Sequence, residues 1–244
     1  MSVSTISGSV GNFVTLGSGN YAGQLTITSA GIVGDNSFTG DTSTAYFQVT
    51  VDQAASTLLN QGSILGGYDV VAPGTMLGVS GLELTAGYVR NDHVIRGGAG
   101  PGNSYGVLQS GGTLANYGGI YGGQVGRTGF AGTFENYGVV LTQGSLLNAG
   151  QIWGGAGAAG LRLSGGTVDN SGTITGGFYS DVPSNVYGPG VTMSGGSLLN
   201  TGRILAAGGT GAAVEMSGGS ILRPEKSTEI MAVQILASQR RSHF

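Results

Sequence analysis

Asp52 and Glu83 come nearest to a reactive arrangement. Both stand third in a segment that recurs along the chain, beginning at Thr50 and again at Gly81. If consecutive segments stack, the two carboxylates lie side by side on the outside. Glycoside hydrolysis needs such a pair, one as acid and one as base or nucleophile, about 6.5–9.5 Å apart in inverting enzymes. The rest of the 12 acids are scattered. The next segment carries Leu108 at the equivalent place, so the pair reads at most as a weak cation contact. His93, beside Asp92, stands where other segments have glycine. A triad would need a nucleophile and an orienting group converging on it, so it reads as a turn residue. His243 lies near the end of the chain, and the two histidines do not share metal-ligand spacing. The chain has no cysteine, which excludes disulfides and thiolate metal sites. The run GGAGPG at 97–102 lacks the Gly-Lys-Ser/Thr ending of a phosphate loop. We expect no catalytic residue, no metal and no cofactor.

Aromatic side chains offer a second kind of chemistry. Tyr105, Phe130, Phe178, Tyr179 and Tyr187 fall in stretches that interrupt the recurring segment, at 99–105, 124–137 and 178–189. A further interruption runs through 68–80. Loops inserted at one corner of a stacked repeat line up on one side, often the binding side. These five rings are candidate glycan contacts. The alternative is that they fold back over the surface of the repeat.

Both readings depend on the repeat that would position the residues. The frame is clearest at 160–177, GLRLSGGTVDNSGTITGG, and it recurs from Thr50, Gly81, Gly106, Gly138, Gly160 and Gly190, with a half copy at Ala213. Its eleventh position reads Asn60, Asn91, Asn116, Asn148, Asn170 and Asn200. Its fifteenth reads Ile64, Ile95, Ile120, Ile152, Ile174 and Ile204. Apolar residues alternate with polar ones, as in Leu161-Arg162-Leu163, which is strand periodicity. With 51 glycines in 244 residues, helix is disfavoured by about 1 kcal/mol at each interior glycine. Three short strands per segment, parted by glycine, predict one coil of a single-stranded parallel β-helix, with seven to eight coils in all. Equivalent positions then lie about 4.8 Å apart. The six asparagines can form an inward ladder, each amide bonding to the coils above and below, or can serve as turn residues.

The same frame places outward residues. The position after each isoleucine reads Leu65, Arg96, Tyr121, Trp153, Thr175 and Leu205. Leu65, Tyr121, Trp153 and Leu205 form a candidate contact stripe, because apolar side chains aligned on an exposed face mark interaction surfaces.

Residues 1–49 read as degenerate β coils forming an irregular N-terminal cap, 50–222 as the solenoid, and 223–244 as a C-terminal cap and basic tail. Near the start, Ser29 takes the asparagine place and Val33 the isoleucine place. Near the end, Pro224 cannot donate in a central ladder. Ser227 or Thr228 could cap a short helix carrying Ile230, Val233 and Leu236 or Ala237 at helical spacing.

Only 9% of residues are charged, with one lysine (Lys226) and a net charge of −3. Such a balance favours neither nucleic acid nor an anionic membrane as partner. A surface with so few charges does little to prevent self-association. No apolar run approaches the ~18 residues of a membrane span, and no secretory signal is visible at the start.

The runs TVDNSGTITGG, TLANYGGIYGG, SLLNAGQIWGG and SLLNTGRILAAG resemble the passenger repeats of bacterial autotransporter and filamentous-haemagglutinin-like surface proteins. The resemblance covers roughly 50–221. It implies a right-handed β-helix, secreted or held at the cell surface of a bacterium, serving adhesion, aggregation or matrix building. From residues and resemblance together, the expectation is a non-enzymatic structural protein whose main partner is itself, as a homo-oligomer or fibre. The alternatives are an adhesin that binds glycans or other surface proteins through the aromatic loops, and a carbohydrate-active β-helix enzyme using Asp52 and Glu83.

Overall fold

The structure, a computed structural model, describes residues 3–11, 13–17, 21, 23–34, 47–72, 75–99, 103–124, 135–181, 184–209, 211–222 and 233–235. Within these the chain is a parallel β-solenoid. Each coil contributes one short strand to each of three sheets, and every strand pairs in parallel with its equivalents one coil before and after. Two sheets hold nine strands and the third holds eight. Nine rungs spaced ~4.8 Å apart make a stack ~38 Å long, longer in coils than the seven to eight read from the frame.

The first sheet carries the asparagines. It runs from Ser4–Ile6 and Gln24–Ile27 through Thr57–Asn60, Tyr88–Asn91, Thr113–Asn116, Ser145–Asn148, Thr167–Asn170 and Ser197–Asn200 to Ser220–Leu222. The second carries the isoleucines, in strands such as Gly119–Tyr121 and Gln151–Trp153. The third carries the alternating apolar pairs, in strands such as Val139–Leu141 and Leu161–Leu163. Period-two alternation decides what is inside. Leu161 and Leu163 are fully buried while Arg162 between them is exposed. The six isoleucines from Ile64 to Ile204 are all 0% exposed, and each such burial stabilises by about 1.5–3 kcal/mol.

Tight corners require glycine. A Cβ on Gly138 would sit 2.7 Å from both Ile152 Cγ2 and the carbonyl oxygen of Gly160 in the next coil. One on Gly150 would meet the carbonyl oxygen of Gly118 in the coil before. The corner is also where backbone groups are satisfied between coils. The N–H groups of Ala149 and Gly150 both donate to the carbonyl of Asn116, and those of Ser171 and Gly172 both donate to that of Asn148.

Three expectations change. The strand Phe47–Val51 pairs Thr50 with Glu83 and Val51 with Leu84, so the first copy of the frame begins two residues earlier than Thr50 in this sheet. A longer turn after Val51 then restores the register, since Asn60 pairs with Asn91. Near the start, Ile27 rather than Ser29 stands opposite Asn60, while Val33 does stand opposite Ile64. The chain between Ile27 and Val33 is two residues longer than between Asn60 and Ile64. At the other end, Val233–Ile235 is a strand paired with Val214–Met216, not a helix. The free edge of the third sheet supplies partners that helical spacing alone could not reveal. The remaining residues of the expected capping helix lie outside the described residues.

Two of the interruptions are antiparallel hairpins, Tyr68–Ala72 with Thr75–Gly78 and Phe178–Asp181 with Ser184–Tyr187. Both leave the solenoid between its second and third sheets.

Candidate functional site: the asparagine ladder and the outer faces

Inside the first sheet the asparagines touch one another. Nδ2 of Asn60 donates to Oδ1 of Asn91 at 2.7 Å, Asn91 to Asn116 at 2.8 Å and Asn116 to Asn148 at 2.7 Å. Asn148 donates to Asn170 and Asn170 to Asn200, each at 2.6 Å. All six are buried. Nδ2 also reaches the carbonyl two residues on, as from Asn116 to Gly118 at 3.3 Å and from Asn200 to Gly202 at 3.1 Å. A primary amide is the side chain that can donate twice and accept at one site. Every step of the ladder runs the same way. Its first acceptor, Oδ1 of Asn60, is buried without a partner, because the preceding coils place Ile27 and Ile6 there.

On the outer face of the second sheet, Leu65, Arg96, Tyr121, Trp153, Thr175 and Leu205 stand in one register column. Trp153 is 42% exposed, and Leu65, Tyr121 and Leu205 are half-buried. The Arg96 guanidinium lies over the Tyr121 ring, 5.4 Å from its centre. On the adjoining corner, Arg90 lies 4.9 Å over the Tyr117 ring and is held by Asp92 through an Nε–Oδ1 bond of 2.7 Å.

The aromatic interruptions part company. Tyr105 is half-buried and stacks on Tyr137 of the next coil, with centroids 6.2 Å apart and planes 18° from parallel. Arg162 lies 5.5 Å over the Tyr137 ring and donates from Nη1 to both oxygens of Glu135 at 3.0 Å. Burial, and then the Glu135 charge, push both tyrosine hydroxyls above their ordinary range. In the 178–187 hairpin, Phe178 contacts Tyr187 at 5.1 Å between ring centres. Asn185 Nδ2 donates to the Tyr187 hydroxyl at 3.3 Å. Val186 lies against Gly157 and the Tyr187 ring against Gly208, so the hairpin rests on neighbouring coils. Phe178 keeps 52% of its surface exposed and Tyr179 is half-buried. Phe130 lies outside the described residues.

Asp52 and Glu83 do not stand opposite one another across the sheet. Glu83 stands opposite Thr50, and Asp52 lies beyond the end of that strand. The Glu83 carboxyl is held above its ordinary value of 4.5, chiefly by burial and further by the Asp52 charge, with a hydrogen bond from Thr50 opposing. Among the described residues no three His, Cys, Asp or Glu side chains gather in a metal-binding group, and no helix is long and apolar enough to cross a membrane.

A further feature exists only in the folded chain. Between Tyr117 and Tyr121 a hollow of about 450 Å³ crosses three coils, over Gly118, Gly150 and Gly172. Its signal is a large side chain followed, one coil on, by Ala149 at the same corner, which is visible only once coils are aligned. Comparison with family models, with curated protein sequences and with solved structures returns no match.

Proposed function

We propose that this chain is a non-enzymatic structural module that associates with itself, side to side, through the outer face of its second sheet. The observation that carries the reading is the pairing of Tyr121 with Trp153 in adjacent strands of that face, with Trp153 42% exposed. Aromatic rings that keep a free face on a flat sheet are suited to bury against a copy of themselves across a two-fold axis. Leu65 and Leu205 extend the apolar column to either side. Sparse charge supports the same reading, since little repulsion opposes contact. An end-to-end junction is less favoured. A copy docked on the first coil would meet Ile6 at the ladder position rather than an amide. Placement outside a bacterial cell rests on the resemblance of the repeats to surface-protein passengers.

Sedimentation velocity over micromolar concentrations tests this. Wild-type protein is expected to form dimers or larger species, and the double variant Trp153→Ala, Tyr121→Ser to dissociate at concentrations about tenfold higher or more, as expected for removing central aromatic anchors. A wild-type protein that stays monomeric throughout overturns the reading.

A further inference from the structure

We propose that the hollow between Tyr117 and Tyr121 is a binding site for a neutral oligosaccharide. The argument begins with the corner column. Going from coil to coil, the residue after each ladder asparagine is Gln61, Asp92, Tyr117, Ala149, Ser171 and Thr201. The bulkiest side chain is therefore followed by the smallest. The second-sheet strands start with Val94, Gly119, Gln151 and Thr173 in successive coils, and the Tyr121 ring lies back over Gly119, 2.6–2.9 Å from where a Cβ there would stand. The hollow follows from the small corner residue Ala149 beside these two rings.

Each ring is fixed from behind. Arg90 covers one side of Tyr117 and Arg96 one side of Tyr121, and both arginines come from the preceding coil. The hollow opens toward the following coils, over Ala149, Gly150 and Gln151 and then Gly172 and Thr173. Tyr117 remains 54% exposed. Rings held in place before a ligand arrives lose little freedom on binding, which favours affinity.

The lining sets the ligand class. It holds two phenol rings, an amide (Gln151) and a hydroxyl (Thr173), and no charged side chain. A pyranose has an apolar face of C–H groups for the rings and equatorial hydroxyls for the amide and the hydroxyls. No charged side chain lines the hollow itself, Arg90 and Arg96 being engaged with the rings from the preceding coil, and an apolar ligand would leave Gln151 and Thr173 unanswered. The volume of about 450 Å³ falls within the range of small-molecule sites. The hollow runs along the stack, so a linear chain lies in it lengthwise.

This site goes beyond the structural reading but shares the second-sheet face with it, through Tyr121, Gln151 and Thr173. The titration is therefore run on the Trp153→Ala chain as well as on wild type: sugar binding by the variant upholds the site whether or not the wild type self-associates. Trp153 does not line the hollow and Tyr117 is not on the second-sheet column, although Tyr121 belongs to both. Titrate the full chain with cellotetraose, chitotetraose and, as a charged control, tetragalacturonate, following binding by calorimetry and by tyrosine ring resonances. One of the neutral tetrasaccharides is expected to bind and tetragalacturonate is not. Tyr117→Ala should weaken binding about tenfold, in line with the loss of one aromatic contact. Ala149→Trp, which removes no contact but fills the hollow from an exposed position, should abolish it. No binding of either neutral sugar at millimolar concentration overturns the proposal. So does preferred binding of the galacturonate, or binding that survives both Tyr117→Ala and Ala149→Trp in variants whose circular dichroism matches wild type.

Discussion

Asn116 accepts from Asn91 and donates to Asn148, so its removal orphans a group on each side. Orphaned buried polar groups cost about 1–3 kcal/mol each. Asn116→Leu should therefore lower the unfolding free energy by about 3 kcal/mol. Asn60→Leu takes the donor from the Oδ1 of Asn91 and from the Val94 carbonyl, but it also removes the partnerless Oδ1 of Asn60 and places an apolar side chain beside Ile27, so its cost should be smaller, about 1 kcal/mol. Urea denaturation compares them, and equal losses would show that the ladder does not act as a chain of bonds. Glu83 makes a second residue-level test. Its folded carboxyl is held above 4.5, so between that value and the higher folded one the native state binds more proton than the unfolded chain. Stability then falls as pH rises through the window. Glu83→Gln should remove that part of the pH dependence, as read from melting temperature across the acid range. An unchanged slope would place the titration elsewhere.

At the level of coils, the corner glycines set how closely one turn lies on the next. A methyl on Gly150 would strike the Gly118 carbonyl, whereas one on Gly11 would meet nothing within 4 Å. Gly150→Ala should cost about 2–3 kcal/mol through forced backbone shifts, and Gly11→Ala should stay within about 0.5 kcal/mol. Thermal denaturation of the two variants separates packing from composition. The columns of asparagine and isoleucine were legible in the sequence because inward positions tolerate few side chains. Register was less so. In the run from Phe47 to Asp52, the alternation of Val49 and Val51 fits two frames, and only the pairing of Thr50 with Glu83 chooses between them. Val233 and Ile235 suit a strand or a helix equally, and the free edge at 214–216 decided for strand. The Tyr117 hollow was illegible for a related reason. It depends on Ala149 lying one coil away, a neighbour that linear order hides.

Over the whole molecule, each coil touches only its neighbours, so stability should be graded along the stack. The first coil pairs on one side only and lacks the ladder, while the coils of Asn116 and Asn148 have partners on both. Hydrogen exchange should be fastest at Ser4–Leu16 and slowest around Leu114–Ile174. Uniform protection would mean that the solenoid opens as one unit. Lateral association through Trp153 would cover the middle coils and leave the ends as they are, so concentration should change exchange at Gly119–Thr175 more than at Ser4–Leu16.

The one-way run of amide bonds from Asn60 to Asn200 has no point of reversal. Every asparagine from Asn91 onward is at once a recipient and a giver, and the coil from Gly138 to Ala159 fits between its neighbours with nothing inserted. A duplicate of that stretch could be spliced in beside the original, and the bonding pattern would continue through it unbroken. The chain is in this respect a strip of interchangeable links, whose overall length is open to change by whole steps without redesign of what lies on either side.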